Sequence, residues 1–151
     1  MLWYLYENTP TDELKRYAEL YTERVESAKD MTTTHDLGFM LYCSFGNGYR
    51  LAKNPHYLEV MTVGAESLAT RYDERVKAIK SWNSNEKWQF PVIIDNMMNL
   101  ELLYFATKVT GDSVYANIAN AHAETTAKNQ FRADYSNYHV VNYDEETGKV
   151  L

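Results

Sequence analysis

The sequence predicts a mainly α-helical fold in which helical hairpins stack as an α/α toroid, with a small β-hairpin at the C-terminal end. Three observations predict it. Turn-forming residues are scarce: six glycines and three prolines in 151 residues, about half the ~12 % of an average chain. Apolar segments come in two kinds, one apolar nearly all round and one carrying a single stripe, as expected of interior and exterior helices. The pattern also repeats. Asp36 and Asp95 stand 59 residues apart, each ahead of an apolar helix. At an offset of 58, Tyr57 matches Tyr115, Val60 matches Ile118, and Ala65-Glu66-Ser67 matches Ala123-Glu124-Thr125. Units of this length pair a buried helix with an amphipathic one and hide their apolar faces by stacking. A ring with a central cavity is one such stack; a plain bundle or solenoid is the other.

The elements follow in order. Thr9-Pro10-Thr11-Asp12 reads as a helix start, with Thr9 as N-cap and proline at the first helical position. Leu14, Tyr17, Ala18, Tyr21, Val25 and Ala28 then form one stripe, and the threonines of Met31 to Thr34 interrupt it. Beyond Asp36, Leu37, Phe39, Met40, Leu41, Tyr42, Cys43 and Phe45 predict a helix buried on most faces, with Gly46 and Gly48 permitting close packing. Asn54-Pro55 opens a striped helix through Leu58, Met61, Ala65, Leu68, Tyr72, Val76 and Ile79. Trp82 to Trp88 is a polar loop, and Phe90-Pro91-Val92-Ile93-Ile94 is extended. Asp95 opens a second apolar helix, and Gly111-Asp112 leads to a last one striped by Val114, Ile118, Ala121 and Thr125. Tyr138–Tyr143 and Lys149–Leu151 flank Asp144-Glu145-Glu146-Thr147-Gly148, a β-hairpin pattern with glycine at the left-handed position.

Composition narrows the function. A net charge of −6 with no Lys/Arg cluster argues against a nucleic-acid partner. One cysteine excludes a disulfide scaffold and suits the cytoplasm, with the periplasm as the alternative. No apolar run approaches a membrane span of ~20 residues, and Met1–Tyr6 lacks the basic start of a signal peptide. No HExxH or Cys/His pairing is present, so neither metal nor cofactor is expected. The 13 tyrosines suit surfaces that are apolar on one side and hydrogen-bonding on the other, as in interfaces and sugar sites.

The repeat places two aspartates equivalently at the starts of two interior helices. Capping is the ordinary role of such residues. Asp36, however, follows His35, and Asp95 lies among Phe90, Pro91, Ile93, Ile94, Met97 and Met98. A carboxylate in that setting either caps or is poised for proton transfer. His122 is expected to be structural, His56 to lie on a helix surface, and Met31, Met40, Met61, Met97 and Met98 to fill core.

Four segments together resemble the unsaturated glucuronyl hydrolases of glycoside hydrolase family 88. They are Thr34-His35-Asp36-Leu37-Gly38-Phe39-Met40; Ile93-Ile94-Asp95-Asn96-Met97-Met98-Asn99; Ala121-His122-Ala123 with Asn129 and Arg132; and Tyr138-His139-Val140-Val141 with Tyr143-Asp144 and Thr147-Gly148. The resemblance implies an (α/α)6 barrel. It also implies that residues 1–151 are a fragment of a single barrel domain, since twelve helices of ~11–12 residues with their connections exceed this length. Helix faces left without neighbours would then favour self-association. Where the family usually has Asp-Gly-Ser-Ser, this chain has Asp134-Tyr135-Ser136-Asn137, so the loop that aims His139 is expected to differ.

The family's substrates are lyase-made oligosaccharides ending in a 4,5-unsaturated uronic acid. Protonating C4 of that enol ether leaves a C5 cation, water adds, and the hemiketal opens to release the neighbouring sugar. By resemblance Asp95 is the general acid and then base, a task suited to a carboxyl that can hold and surrender a proton at working pH. Asp36 is the second catalytic carboxylate, His35 and His139 contact the substrate, and Trp88 and Tyr138, with Trp82, are candidates to stack on sugar rings. The related unsaturated rhamnogalacturonyl hydrolases are the nearest alternative, and a non-catalytic helical-repeat module binding sugar or protein is the alternative of another class.

Overall fold

The computed structural model describes residues 1–151. Three helical hairpins carry the chain. The first joins α1 (Leu2–Asn8) to α2 (Asp12–Glu23). No sequence signal marked α1, yet its Trp3 is buried and the indole N–H donates to Thr22 Oγ1 on α2 at 2.8 Å. Thr11, not Thr9, caps α2, accepting the Leu14 N–H at 3.2 Å. The helix stops at Glu23, short of the expected Ala28, which falls in a 3-10 turn, Glu26–Asp30.

The second hairpin begins with α3 (Leu37–Leu41), which runs through a π-turn (Tyr42–Gly46) into α4 (Asn47–Ala52). Leu37, Leu41, Phe45 and Gly48 form its buried edge, whereas Phe39 and Cys43 are exposed. Burial on most faces, as the sequence predicted, is therefore replaced by burial on one. The close packing expected of Gly48 is real: a Cβ there would lie 2.6 Å from the Tyr57 ring and 2.9 Å from Trp3. The returning helix α5 (His56–Ala69) follows Pro55, with Asn54 Oδ1 accepting the His56 N–H.

The helix predicted to reach Ile79 ends at Ala69. Tyr72–Asp73 (β1) and Ala78–Ile79 (β2) form a short antiparallel ladder instead. The Asp73 carboxylate accepts the N–H groups of Arg75 (2.8 Å) and Val76 (3.2 Å), which turns the chain, and Lys77 takes a left-handed φ of 58°. Arg71, buried, fastens this hairpin by donating to the carbonyls of Lys80 and Thr32. Val76 and Ile79 are buried in this arrangement too, so their helical spacing misled without being polar.

The third hairpin is α6 (Leu100–Thr110) with α7 (Val114–Asn129), joined through Gly111 at φ 78°. The buried face of α7 is Tyr115, Ile118, Ala119, His122 and Thr126. It is rotated from the predicted stripe because His122 and Thr126 are inside while Val114 is exposed. The repeat is structural: Tyr57 and Tyr115 are both buried, as are Val60 and Ile118. Interior α3 packs on α5 and α6, and α6 on α5 and α7, around a core that includes Leu41, Phe45, Met61, Leu102 and Leu103.

The extended stretch is β3 (Phe90–Ile93), whose partner is β4 (Val140–Tyr143), paired antiparallel from Phe90↔Tyr143 to Ile93↔Val140. The C-terminal hairpin expected from the sequence shrinks to a single bridge, Tyr143↔Val150. Its turn is as predicted, with Gly148 at φ 68° and Asp144 accepting the Glu146 and Thr147 N–H groups. No helix is long and apolar enough to cross a membrane.

Candidate active site

His35 and Asp36 stand just before α3, and Asp95 lies in the 3-10 turn Ile94–Asn99 that leads into α6. Neither carboxyl caps its helix, so the ordinary role of a helix-start aspartate is not the one filled. What draws the two starts together is Gly38 against Asn99. A Cβ at position 38 would sit 2.7 Å from Asn99 Oδ1 and 3.0 Å from its Cα. The same oxygen accepts the Phe39 N–H at 2.7 Å.

Ser81 is the mount beneath them. Its carbonyl oxygen accepts from His35 twice, from the backbone N–H at 3.1 Å and from Nδ1 at 2.9 Å. Its hydroxyl accepts the Ile93 N–H at 3.0 Å and lies 3.4 Å from the Asn96 amide, which donates to Ile79 O at 2.7 Å. Ser81 and Asn96 are fully buried and tie the segment before α3 to the segment before α6.

On this mount His35 Nε2 faces two carboxylates, 3.1 Å from Asp95 Oδ1 and 3.4 Å from Asp36 Oδ1. Thr34 Oγ1 donates to the other oxygen of Asp36 at 2.9 Å. The carboxylates are open to solvent, 59 % exposed for Asp36 and 50 % for Asp95, whereas the His35 side chain is only 6 % exposed. The apolar sequence neighbours of Asp95 do not enclose it. Phe90 and Val92 turn into the small core under the β3–β4 ribbon, and Met97 and Met98 are exposed.

The other predicted site residues lie along that ribbon. His139 is exposed, and its carbonyl accepts the Ile94 N–H at 2.9 Å, which places its backbone next to that of Asp95. Trp88 and Tyr138 line a hollow of about 390 Å³ with Asn129, Val140 and Asn142. Trp82 meets Trp88 edge-on at 6.0 Å, and the Arg132 guanidinium lies 3.7 Å from the centre of the Tyr138 ring. The loop before them keeps a glycine-like shape: Tyr135 adopts φ 65° and points into solvent. The direct cluster is thus Asp36, His35 and Asp95, and the aromatic pair forms a separate wall.

His122 is structural, as expected. It is fully buried, and Nδ1 accepts the Ile79 N–H at 3.0 Å. Burial, with a smaller contribution from the charge of His35, pushes its pKa down to about 4. His56 lies on the surface between Glu26 and Glu59, and its hydrogen bond to Glu26 raises its pKa. Sequence reasoning passed over Ser81 and gave no role to Gly38, Asn96 and Asn99 within the resembling segments. Asn96 and Asn99 gave a signal, two amides inside an apolar run, because buried amides imply specific partners.

Comparisons with known proteins follow the same line. No family model matches the chain. It is 50 % identical over 151 residues to the unsaturated glucuronyl hydrolase of Formosa agariphila, an alignment that takes in 99 % of this chain and 38 % of that protein. It is 33 % identical over 153 residues to the unsaturated chondroitin disaccharide hydrolase of Streptococcus pneumoniae, covering 98 % of this chain and 38 % of that one. The chain is similar over its whole length to unsaturated glucuronyl hydrolases. Among solved structures, an unsaturated glucuronyl hydrolase specific for heparin superposes with a TM-score of 0.95 at 48 % identity, over 99 % of this chain and 40 % of that one. The unsaturated glucuronyl hydrolase of Bacillus sp. GL1 superposes with 0.92 at 27 %, over 99 % and 41 %. The chain spans about two fifths of the length of these relatives, and its hairpins are part of their helical fold.

Proposed function

We propose that the chain is part of a hydrolase for oligosaccharides ending in a 4,5-unsaturated glucuronic acid, and that residues 1–151 form a portion of a single (α/α)6 barrel domain. The observation that carries this reading is the pair of solvent-facing carboxylates, Asp36 and Asp95, brought within 3.4 Å of one histidine nitrogen at the starts of two interior helices. Asp95 protonates C4 of the enol ether, with the π electrons forming the new C–H bond and the ring oxygen stabilising the cation left at C5. The resulting carboxylate then takes a proton from the water that adds to C5, which restores the acid. Asp36 holds sugar hydroxyls beside it. His139 and the wall of half-buried Trp88 and exposed Tyr138 contact the sugar, since an aromatic ring beside polar groups suits a pyranose.

The substrate class is supported by a relative of 30 % identity, a variant of the Streptococcus agalactiae unsaturated glucuronyl hydrolase complexed with dGlcA-GalNAc6S. The exposed apolar side chains Phe39 on α3, Met97 and Met98 in the turn before α6, and Tyr104 on α6 support self-association of the chain. The unpaired thiol of Cys43 is in keeping with a reducing compartment, the cytoplasm. The test is loss of the ultraviolet absorbance of the conjugated double bond on adding lyase-digested heparin or chondroitin. Asp95→Asn is expected to slow that loss by about 10²–10⁴, the range of general acid–base catalysis. Near-normal turnover by the variant refutes the assignment.

A further inference from the structure

His35 is engaged by the protein on both ring nitrogens. The Ser81 oxygen that faces Nδ1 is a carbonyl and can only accept. Nδ1 therefore carries a hydrogen in every state of the cluster. Nε2 has no such choice of partners: it meets two carboxylate oxygens, Asp95 Oδ1 at 3.1 Å and Asp36 Oδ1 at 3.4 Å. With both acids ionised and the ring neutral, a bare lone pair would face two anions. One proton removes that repulsion, whether it sits on Nε2 or on Asp95.

We infer that His35, Asp36 and Asp95 hold one proton in common, and that His35 is a positioning residue which fixes Asp95 and shares that proton with it, while the Ser81 carbonyl sets the tautomer. The inference rests on the reading of Asp95 as the acid and base, and it reassigns His35 from substrate contact to a place behind the carboxylates. It also gives the reaction its balance. The shared proton leaves on C4 of the substrate, and the neutral ring then faces two carboxylates. That arrangement favours taking a proton back from the attacking water, and the cluster ends with the count it began with. Three titratable groups face His35: Asp36 on its own segment, Asp95 from the turn before α6, and His122 from α7, whose ring feels the charge of His35.

The experiment is NMR on the chain carrying 15N-histidine and 13C-aspartate, read across pH. The Nδ1 signal should keep its hydrogen throughout, and each protonation step should be seen in both the His35 Nε2 and the Asp95 carboxyl signals, because the protons of coupled sites belong to the pair. A neutral His35 with its hydrogen on Nε2, or steps that each move only one of the two signals, overturns the inference. A second arm uses His35→Gln in a preparation that consumes the 4,5-ene sugar. Misplacing the acid lowers kcat by about 10²-fold with KM little changed; a raised KM at unchanged kcat would make His35 a sugar contact and overturn the positioning role. Failure of Asp95→Asn to slow turnover would remove the functional reading while leaving the NMR outcome intact, so the two failures are distinguishable.

Discussion

Acidification should loosen the fold through one residue, His122. The ring is fully buried, and its Nδ1 accepts the Ile79 N–H at 3.0 Å, so the folded state needs it neutral. Its pKa is held down to about 4, burial being the larger cause, against about 6.5 in an unfolded chain. The unfolded state therefore binds the proton first. Stability from this group is complete above pH 6.5 and falls as pH drops from there through 4. Between pH 7.5 and 4.5 the loss is about 2–3 kcal/mol by linkage. Urea denaturation at the two pH values, in the wild type and in His122→Asn, isolates it. Asparagine places an acceptor oxygen near the Nδ1 position and does not titrate. The variant should be less stable at pH 7.5, because part of the ring's packing is gone, yet should lose about 2–3 kcal/mol less than wild type on acidification. His56, whose raised pKa acts in the opposite sense, is present in both proteins and cancels. Equal losses in the two proteins would refute the reasoning.

Gly38→Ala should destabilise by about 1–3 kcal/mol, the usual range for overpacking, because its Cβ would meet backbone as well as side-chain atoms of Asn99; a thermal melt reads it, and an unchanged midpoint would show that the two helix starts can part freely. Tyr135→Gly should stabilise by about 0.5–1 kcal/mol, the left-handed cost of ~1–2 kcal/mol less the entropy that glycine adds to the unfolded chain. The side chain there is exposed, so a loss in urea denaturation would mean that the ring makes a contact which matters. Sedimentation velocity should show the chain associating with rising concentration through Phe39, Met97, Met98 and Tyr104, with Met98→Lys weakening it; a monomer at all concentrations counts against the proposal.

The second and third helical hairpins are legible because their returning helices, α5 and α7, repeat an arrangement of tyrosine, β-branched and alanine residues, whereas α1 of the first leaves no such mark. Tyr57 and Tyr115 are buried in equivalent places, and a period of that kind survives any error at the helix ends. The ends themselves were less legible. Tyr72, Val76 and Ile79 continue the α5 stripe in sequence, but Asp73 offers its carboxylate to the next two free backbone N–H groups, and an aspartate that does so competes with the helix for the same donors. The strand partner of Val140–Tyr143 was misread for a related reason. A glycine turn advertises a local hairpin, whereas Phe90–Ile93 offers a longer apolar edge from about fifty residues away, and long-range pairing leaves no mark in local spacing.

The site divides the same way. Two aspartates at equivalent places in a repeat were visible, but their meeting depends on residues with no chemistry of their own. Glycine at 38 lets Asn99 approach, and Asn99 then holds the Phe39 N–H. Ser81 binds the start of one interior helix through its carbonyl and the segment before the other through its hydroxyl. A serine and a glycine can do this only where the backbone already passes, so their role becomes readable once the topology is known. Asp95 shows the complementary limit. Its apolar neighbours suggested enclosure, but alternate residues of an extended strand face opposite sides, and the chain turns just after Ile93. Phe90 and Val92 are thereby committed to a core that Asp95 does not enter. What keeps Asp95 in place is a hydrogen-bonded ring behind it rather than an apolar wall around it, which is why the decisive perturbations of this site are at His35 and Ser81 and not at Met97 or Met98.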